Sequence, residues 1–174
     1  MQKFSIPFGK GHIHFELPDE QVAGVLLSHA HEYKAPKSEE ELVADALANP
    51  IGSPRLSELA KGKKTCTIIS SAHTRPVPSH VIMPQLLAEL RKGNPDIDIT
   101  ILVATGMHRP TTHEELVAKY GKEIAEKEKF IIHVSRNDDD MVSIGTLPSG
   151  GECLINKAAV NTDLLISEGV RKSV

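Results

Sequence analysis

The chain has 174 residues, 40% of them hydrophobic and 25% charged, with a formal net charge of −3. That balance is typical of a folded soluble protein of one large domain, and the weak negative charge removes the basic footprint that nucleic-acid binding needs. No apolar run approaches the ~20 residues of a membrane span, and the N-terminal stretch has no signal-like apolar segment, so the expected setting is the cytoplasm, away from any membrane.

Aromatic residues make up 3% and Trp is absent, so the core is expected to be built from Ile, Leu, Val and Ala. Cys66 and Cys153 lie too far apart to suggest a zinc spacing or a disulfide framework, and both read as buried thiols in a reducing compartment.

In chain order, "KFSIPFG" and "GHIHFELP" alternate around Gly9–Gly11 and predict a β-hairpin, with His12 and His14 on one solvated face. "KSEEELVADALANP" predicts a helix with Ser38 as N-cap and Glu41 at the capping-box position. "SPRLSELAKGK" predicts a short second helix capped by Ser53, with Pro54 at its first position. "KTCTIISS" reads as a strand, "SHVIMPQLLAELRKGNP" as an amphipathic helix, and "DITILVATG" as a strand buried on both faces of a parallel sheet. "TTHEELVAKYG" is a helix capped by Thr112. "KFIIHVS" is a strand that puts His133 in its middle. "MVSIGTLPSGG" reads as a strand and turn, "CLINKAAVNTD" as a short helix, and "DLLISEG" as a last strand. This alternation predicts an α/β fold: a mostly parallel sheet with helices on both faces, Rossmann-like, preceded by the N-terminal hairpin.

In open α/β sheets ligands sit outside the carboxyl ends of the strands. Three stretches occupy that position: Ala72, His73, Thr74 and Arg75; Met107, His108 and Arg109; and Val170, Arg171 and Lys172. If their strands are neighbours, the three ends converge. Arg75 then offers a bidentate grip on a carboxylate or phosphate. His108 moves a proton near neutral pH. Lys172 offers an amine that attacks a carbonyl carbon when its pKa is lowered. Gly106 lets the backbone come close to a ligand. His73 and Thr74 read as supports of the turn that the prolines fix. His113 reads as a solvated first-turn residue, and Asp138–Asp140 as a loop without calcium-loop spacing.

"SSAHTRPVPSH", "ILVATGMHRPTTHEELVAKYG", "HVSRNDDDMVSIGTLPSGGECLINKAA" and "DLLISEG" with "RKSV" together resemble the N-terminal part of the lactate racemase family, the nickel-pincer enzymes, over nearly the whole chain. The resemblance implies racemisation of 2-hydroxy acids such as lactate, with a nickel-pincer nucleotide as hydride acceptor and a histidine on each face of the substrate. It makes His108 one acid/base histidine, Arg75 the substrate grip, Lys172 the cofactor-bearing lysine, and Ala72 and Thr74 part of the cofactor-binding turn.

Three departures qualify that implication. The family motif reads Ser-Asp-His-Thr-Arg-Pro, whereas residue 72 is Ala here. The loop that carries the second acid/base histidine is missing between Gly169 and Arg171. The C-terminal domain, with the nickel-binding histidine, lies beyond Val174. The chain, 1–174, is therefore expected to be the N-terminal catalytic domain, inactive by itself. The alternative is a non-catalytic anion-binding fragment or scaffold that needs a separate C-terminal domain, and in either case a bare surface would favour self-association.

Overall fold

The computed structural model describes residues 1–170, in two compact units, 1–36 and 37 onwards. In the first, β1 (Gln2–Phe8) and β2 (Gly11–Leu17) form the predicted antiparallel hairpin. Gly9 makes the turn possible with φ of 57°, a left-handed conformation that costs glycine little. Phe4 pairs with Phe15 across the strands, with ring centroids 5.4 Å apart. His12 and His14 share a face as predicted, their rings 6.5 Å apart.

The second unit opens with α1 (Glu39–Ala48). The Ser38 hydroxyl accepts from Glu41 N while the Glu41 carboxylate accepts from Ser38 N, the reciprocal cap that the sequence predicts. Helix α2 is only Leu56–Leu59, with Arg55 and not Ser53 at its N-cap. The Ser53 hydroxyl is spent on Pro54 O, so it is not available as a cap.

Strand β3 (Thr65–Ser71) leads into α3 (Ser79–Gly93), and β4 (Asp98–Ala104) into α4 (His113–Tyr120). A short helix that the sequence reading missed, α5 (Lys122–Lys127), follows Gly121 and leads to β5 (Lys129–Ile132). Next, β6 (Met141–Thr146) and β7 (Glu152–Asn156) form a second hairpin. The predicted helix in "CLINKAAVNTD" is thus half strand. Only α6 (Lys157–Val160) is helical, started by the Asn156 side chain, which accepts from Ala158 N. The last strand is β8 (Leu164–Glu168).

The central sheet is four-stranded, in the order β5-β4-β3-β8, and every pair is parallel. Cys66, Ile68, Ile99, Ile101 and Val103 line one face. Met83, Leu87 and Leu90 of α3, Leu116 and Tyr120 of α4, and Ala125 of α5 cover it. Each such large aliphatic side chain contributes about 1.5–3 kcal/mol when fully buried. The alternating residues face the other way, where the Thr67 hydroxyl donates to Ala158 O of α6 at 2.7 Å. Cys66 is buried as predicted, and burial pushes its thiol up to about 11. Cys153 is only partly buried, because it sits in the β6–β7 hairpin and outside the sheet core. Among the described residues no helix is long and apolar enough to cross a membrane.

Candidate functional site

The chain winds from β3 through β4 to β5 in one direction and then returns to place β8 on the opposite side of β3. The chain thus leaves β3 on one side and comes back to β8 on the other, and a crevice lies at the carboxyl ends of the two strands, where open α/β sheets bind ligands. A cleft of about 380 Å³ lies there, lined by Ser70 and Ser71 at the end of β3, Ala72, Thr74 and Arg75 after it, Thr105–His108 after β4, and Glu168 at the end of β8. A second hollow adjoins it, walled by Ser71, Arg75, Pro76, Val77, Gly169 and Val170. The structure thus brings Ala72, Thr74, Arg75 and His108 together, as the sequence predicts. Lys172 lies outside the described residues.

The loop after β3 is held by its backbone. Arg75 N donates to Ala72 O at 3.1 Å, Val77 N to Arg75 O at 2.9 Å and Ser79 N to Val77 O at 2.8 Å. Pro76 and Pro78, which have no N–H to satisfy, alternate with these donors. The Arg75 guanidinium is exposed and makes no ion pair or hydrogen bond among the described residues, so its forked donors are available to an anion. Ala72 is buried in the wall, and its methyl group belongs to the core cluster.

After β4, His108 N donates to Thr105 O at 3.1 Å and closes a turn in which Gly106 has φ of 58°. This turn geometry, more than close approach of a ligand, is what requires glycine there. The turn leaves the His108 ring exposed on the cleft.

Arg109 does not join the site. Its guanidinium grips Glu115 of α4 bidentately, at 2.9 and 2.6 Å. Those hydrogen bonds, with that from Thr112 N, hold the Glu115 carboxyl down at about 2. His73 is likewise engaged, its Nδ1 3.1 Å from Thr111 Oγ1 and 3.5 Å from Glu115 Oε2. The contact ties the loop that carries Arg75 to the loop that carries His108, which is the supporting role expected of His73. His133 is not mid-strand. It follows the last residue of β5, where its carbonyl accepts the Thr105 hydroxyl and its Nδ1 lies 3.3 Å from Asn156 Nδ2.

Sequence reasoning missed a buried polar chain beneath the cleft. The Tyr120 hydroxyl donates to Ser70 Oγ at 2.8 Å, and the Ser70 hydroxyl donates to Glu168 Oε2 at 2.5 Å. Burial pushes the Tyr120 phenol up to about 12. Lys119 Nζ donates to Ser71 Oγ at 3.2 Å and approaches Arg75 O at 3.5 Å. Its desolvation lowers the Lys119 pKa, partly offset by the charge of Glu168. Among the described residues no cluster of three or more His, Cys, Asp or Glu side chains could hold a metal ion.

Residues 8–172 match the family profile described as the lactate racemase N-terminal domain. The chain is 53% identical over 169 residues to the lactate racemase of Thermoanaerobacterium thermosaccharolyticum, covering 97% of this chain and 40% of that protein. It is 55% identical over 173 residues to the lactate racemase of Lactiplantibacillus plantarum, covering 99% of this chain and 41% of that one. The fold matches the structure of the T. thermosaccharolyticum lactate racemase apoprotein with a TM-score of 0.81 at 49% identity, over 95% of this chain and 38% of that one. A Thermotoga maritima protein shares the fold at 21% identity, with a TM-score of 0.57 over 74% of this chain and 32% of that one. The chain thus spans about 40% of the length of the curated relatives it matches.

Proposed function

We propose that this chain, which belongs to the lactate racemase N-terminal domain family, forms the half of a 2-hydroxy-acid racemase that grips the substrate anion and supplies one of its two acid/base groups. The observation that carries this reading is the Arg75 guanidinium, unpaired among the described residues, lining one cleft with the exposed His108 ring at the carboxyl ends of a four-stranded parallel sheet.

In this reading Arg75 takes the substrate carboxylate through two parallel N–H donors and fixes the α-carbon over the cleft. His108 exchanges the proton of the substrate hydroxyl on one face. The turn at Gly106 and the Glu115 contacts hold the two loops at a fixed separation. The cleft suits an organic anion, because Arg75 offers at its rim a cation unpaired among the described residues. A nickel-pincer nucleotide fits that donor set: Thr74 and the backbone around Ala72 would border it and Lys172 would carry it. When bound, the group supplies the hydride acceptor that inversion at carbon needs.

Inversion also needs an acid/base group on the opposite face. His108 is the one imidazole lining the cleft among the described residues, since His73 is held by Thr111 and Glu115. The chain by itself is therefore proposed to bind and not to racemise, the second acid/base group coming from outside the described residues. Co-expression with pincer-synthesis enzymes, followed by intact-mass and nickel measurement, tests the assignment. The expected result is a covalent adduct that Lys172→Ala abolishes, with no racemisation of D-lactate. An unmodified, nickel-free chain would refute the cofactor role of Lys172, and turnover by the chain alone would refute the need for a second half.

A further inference from the structure

Glu168 has a position that the anion-gripping role does not use. It ends β8 in register with Ser70 of β3 and lines the cleft, yet only 8% of its surface is exposed. Its Oε2 takes the Ser70 hydroxyl, and Ser70 Oγ takes the Tyr120 hydroxyl. All the donors in this chain point one way, towards Glu168. Its other oxygen, Oε1, is shielded from water and has no hydrogen-bond partner among the described residues. The nearby cation, Lys119, spends its ammonium group on Ser71 Oγ and Arg75 O. Ala72 lines the same cleft with a methyl group that neither donates nor accepts. A carboxylate oxygen out of water is costly to leave without a donor, and the described residues supply none.

We propose that Glu168 is the floor of a hydroxyl-recognition subsite, accepting a hydrogen bond from a hydroxyl group of a ligand whose anionic group is held by Arg75. The ligand class is a hydroxylated anion. Two sources share that chemistry, a 2-hydroxycarboxylate and the ribose phosphate of a nucleotide. The Ser70–Tyr120 relay fixes the carboxylate from behind, so its free oxygen is pre-positioned and discrimination does not depend on ordering a flexible side chain. The subsite rests on the anion-binding reading of Arg75 and extends it from charge to hydroxyl content.

Calorimetric titration of the chain with matched pairs tests this: L-lactate against propionate, and ribose 5-phosphate against 2-deoxyribose 5-phosphate. The hydroxylated member of at least one pair is expected to bind at least about tenfold more tightly, because a site built to accept from a hydroxyl rejects the analogue that lacks it. The pair that shows the preference identifies the source. Glu168→Gln keeps the shape and the Ser70 contact but turns an amide donor towards the cleft, so the preference should fall to about onefold while Arg75-dependent anion binding persists. Equal binding within both pairs, still abolished by Arg75→Gln, would overturn the subsite and leave the anion site standing. An unchanged preference in a folded Glu168→Gln chain would overturn the role of Glu168. No binding of any probe would overturn both. The wild-type comparison stands even if the variant does not fold.

Discussion

Removing the Tyr120 hydroxyl should have two effects on stability that differ in their dependence on pH. Phe at this position keeps the ring contact with Phe130, whose centroid is 5.2 Å away, and the position of Lys119 over the ring. It deletes only the donor to Ser70 Oγ. Near neutral pH the loss of one buried hydrogen bond should cost about 1–3 kcal/mol, towards the low end because Ser70 still donates to Glu168.

The second effect follows from the phenol, which burial raises from 10.0 to about 12. A raised pKa means that this share of stability is complete below pH 10 and is lost as pH climbs towards 12. Two pH units at ~1.36 kcal/mol each make about 2.7 kcal/mol, with about half gone near pH 11. The Cys66 thiol also titrates in the alkaline range, but it is present in both proteins and cancels in their difference. Urea unfolding followed by far-UV circular dichroism, from pH 7 to 11, should show wild type ahead at neutral pH and the two curves converging as pH rises. Curves that run parallel across the whole range would refute the buried, neutral phenol.

Two other perturbations probe the frame around the cleft. A Cβ at residue 93 would lie 1.9 Å from Ser57 O and 2.7 Å from Ser57 C. Gly93→Ala must therefore push α2 off α3 at about 1–3 kcal/mol, a fall of roughly 2–10 °C in Tm, and an unchanged Tm would contradict the close approach. Arg109→Ala removes the leading cause of the low Glu115 pKa, so the Glu115 carboxyl should titrate nearer the ordinary carboxylate range by NMR. In the wild type its contribution to stability is present above pH 4.5 and lost as pH falls towards about 2, and the variant should narrow that window.

The parts of the fold that sequence exposed are those with local causes. Ile99–Val103 is a continuous buried run because β4 has a strand on each side and helices on its core face, and such a run announces itself. Ser38 and Thr112 announce their helices by reciprocal capping with a glutamate three residues on. The failures have non-local or very short-range causes. Helix α5 has only six residues and follows a glycine, too little for a periodic pattern. Cys153–Asn156 reads as helix beside "KAAV" but is drawn into a strand by pairing with β6. The placement of Arg75 and His108 at one cleft was legible because each follows a buried strand. Glu168, Lys119 and Tyr120 were not, because their importance depends on β8 lying against β3 and on α4 covering Ser70. Nothing near them in sequence shows either fact.

The same adjacency explains why the chemistry gathers where it does. A carboxylate at the end of β8 shares a cleft with an arginine after β3 only because β8 lies on the side of β3 opposite to β4. With Ala at residue 72, Glu168 is the one acidic side chain lining the cleft among the described residues, and it sits at the floor beneath an arginine at the rim. An aspartate at residue 72 would put a second negative charge in the same low-dielectric wall, close in sequence to Arg75. The methyl group instead joins the core and leaves Arg75 uncompensated. In the proposed subsite, charge at the rim and an acceptor at the floor would select together for a ligand that is both anionic and hydroxylated. Neither group could impose that selection alone, since an arginine accepts any anion and a buried carboxylate repels one.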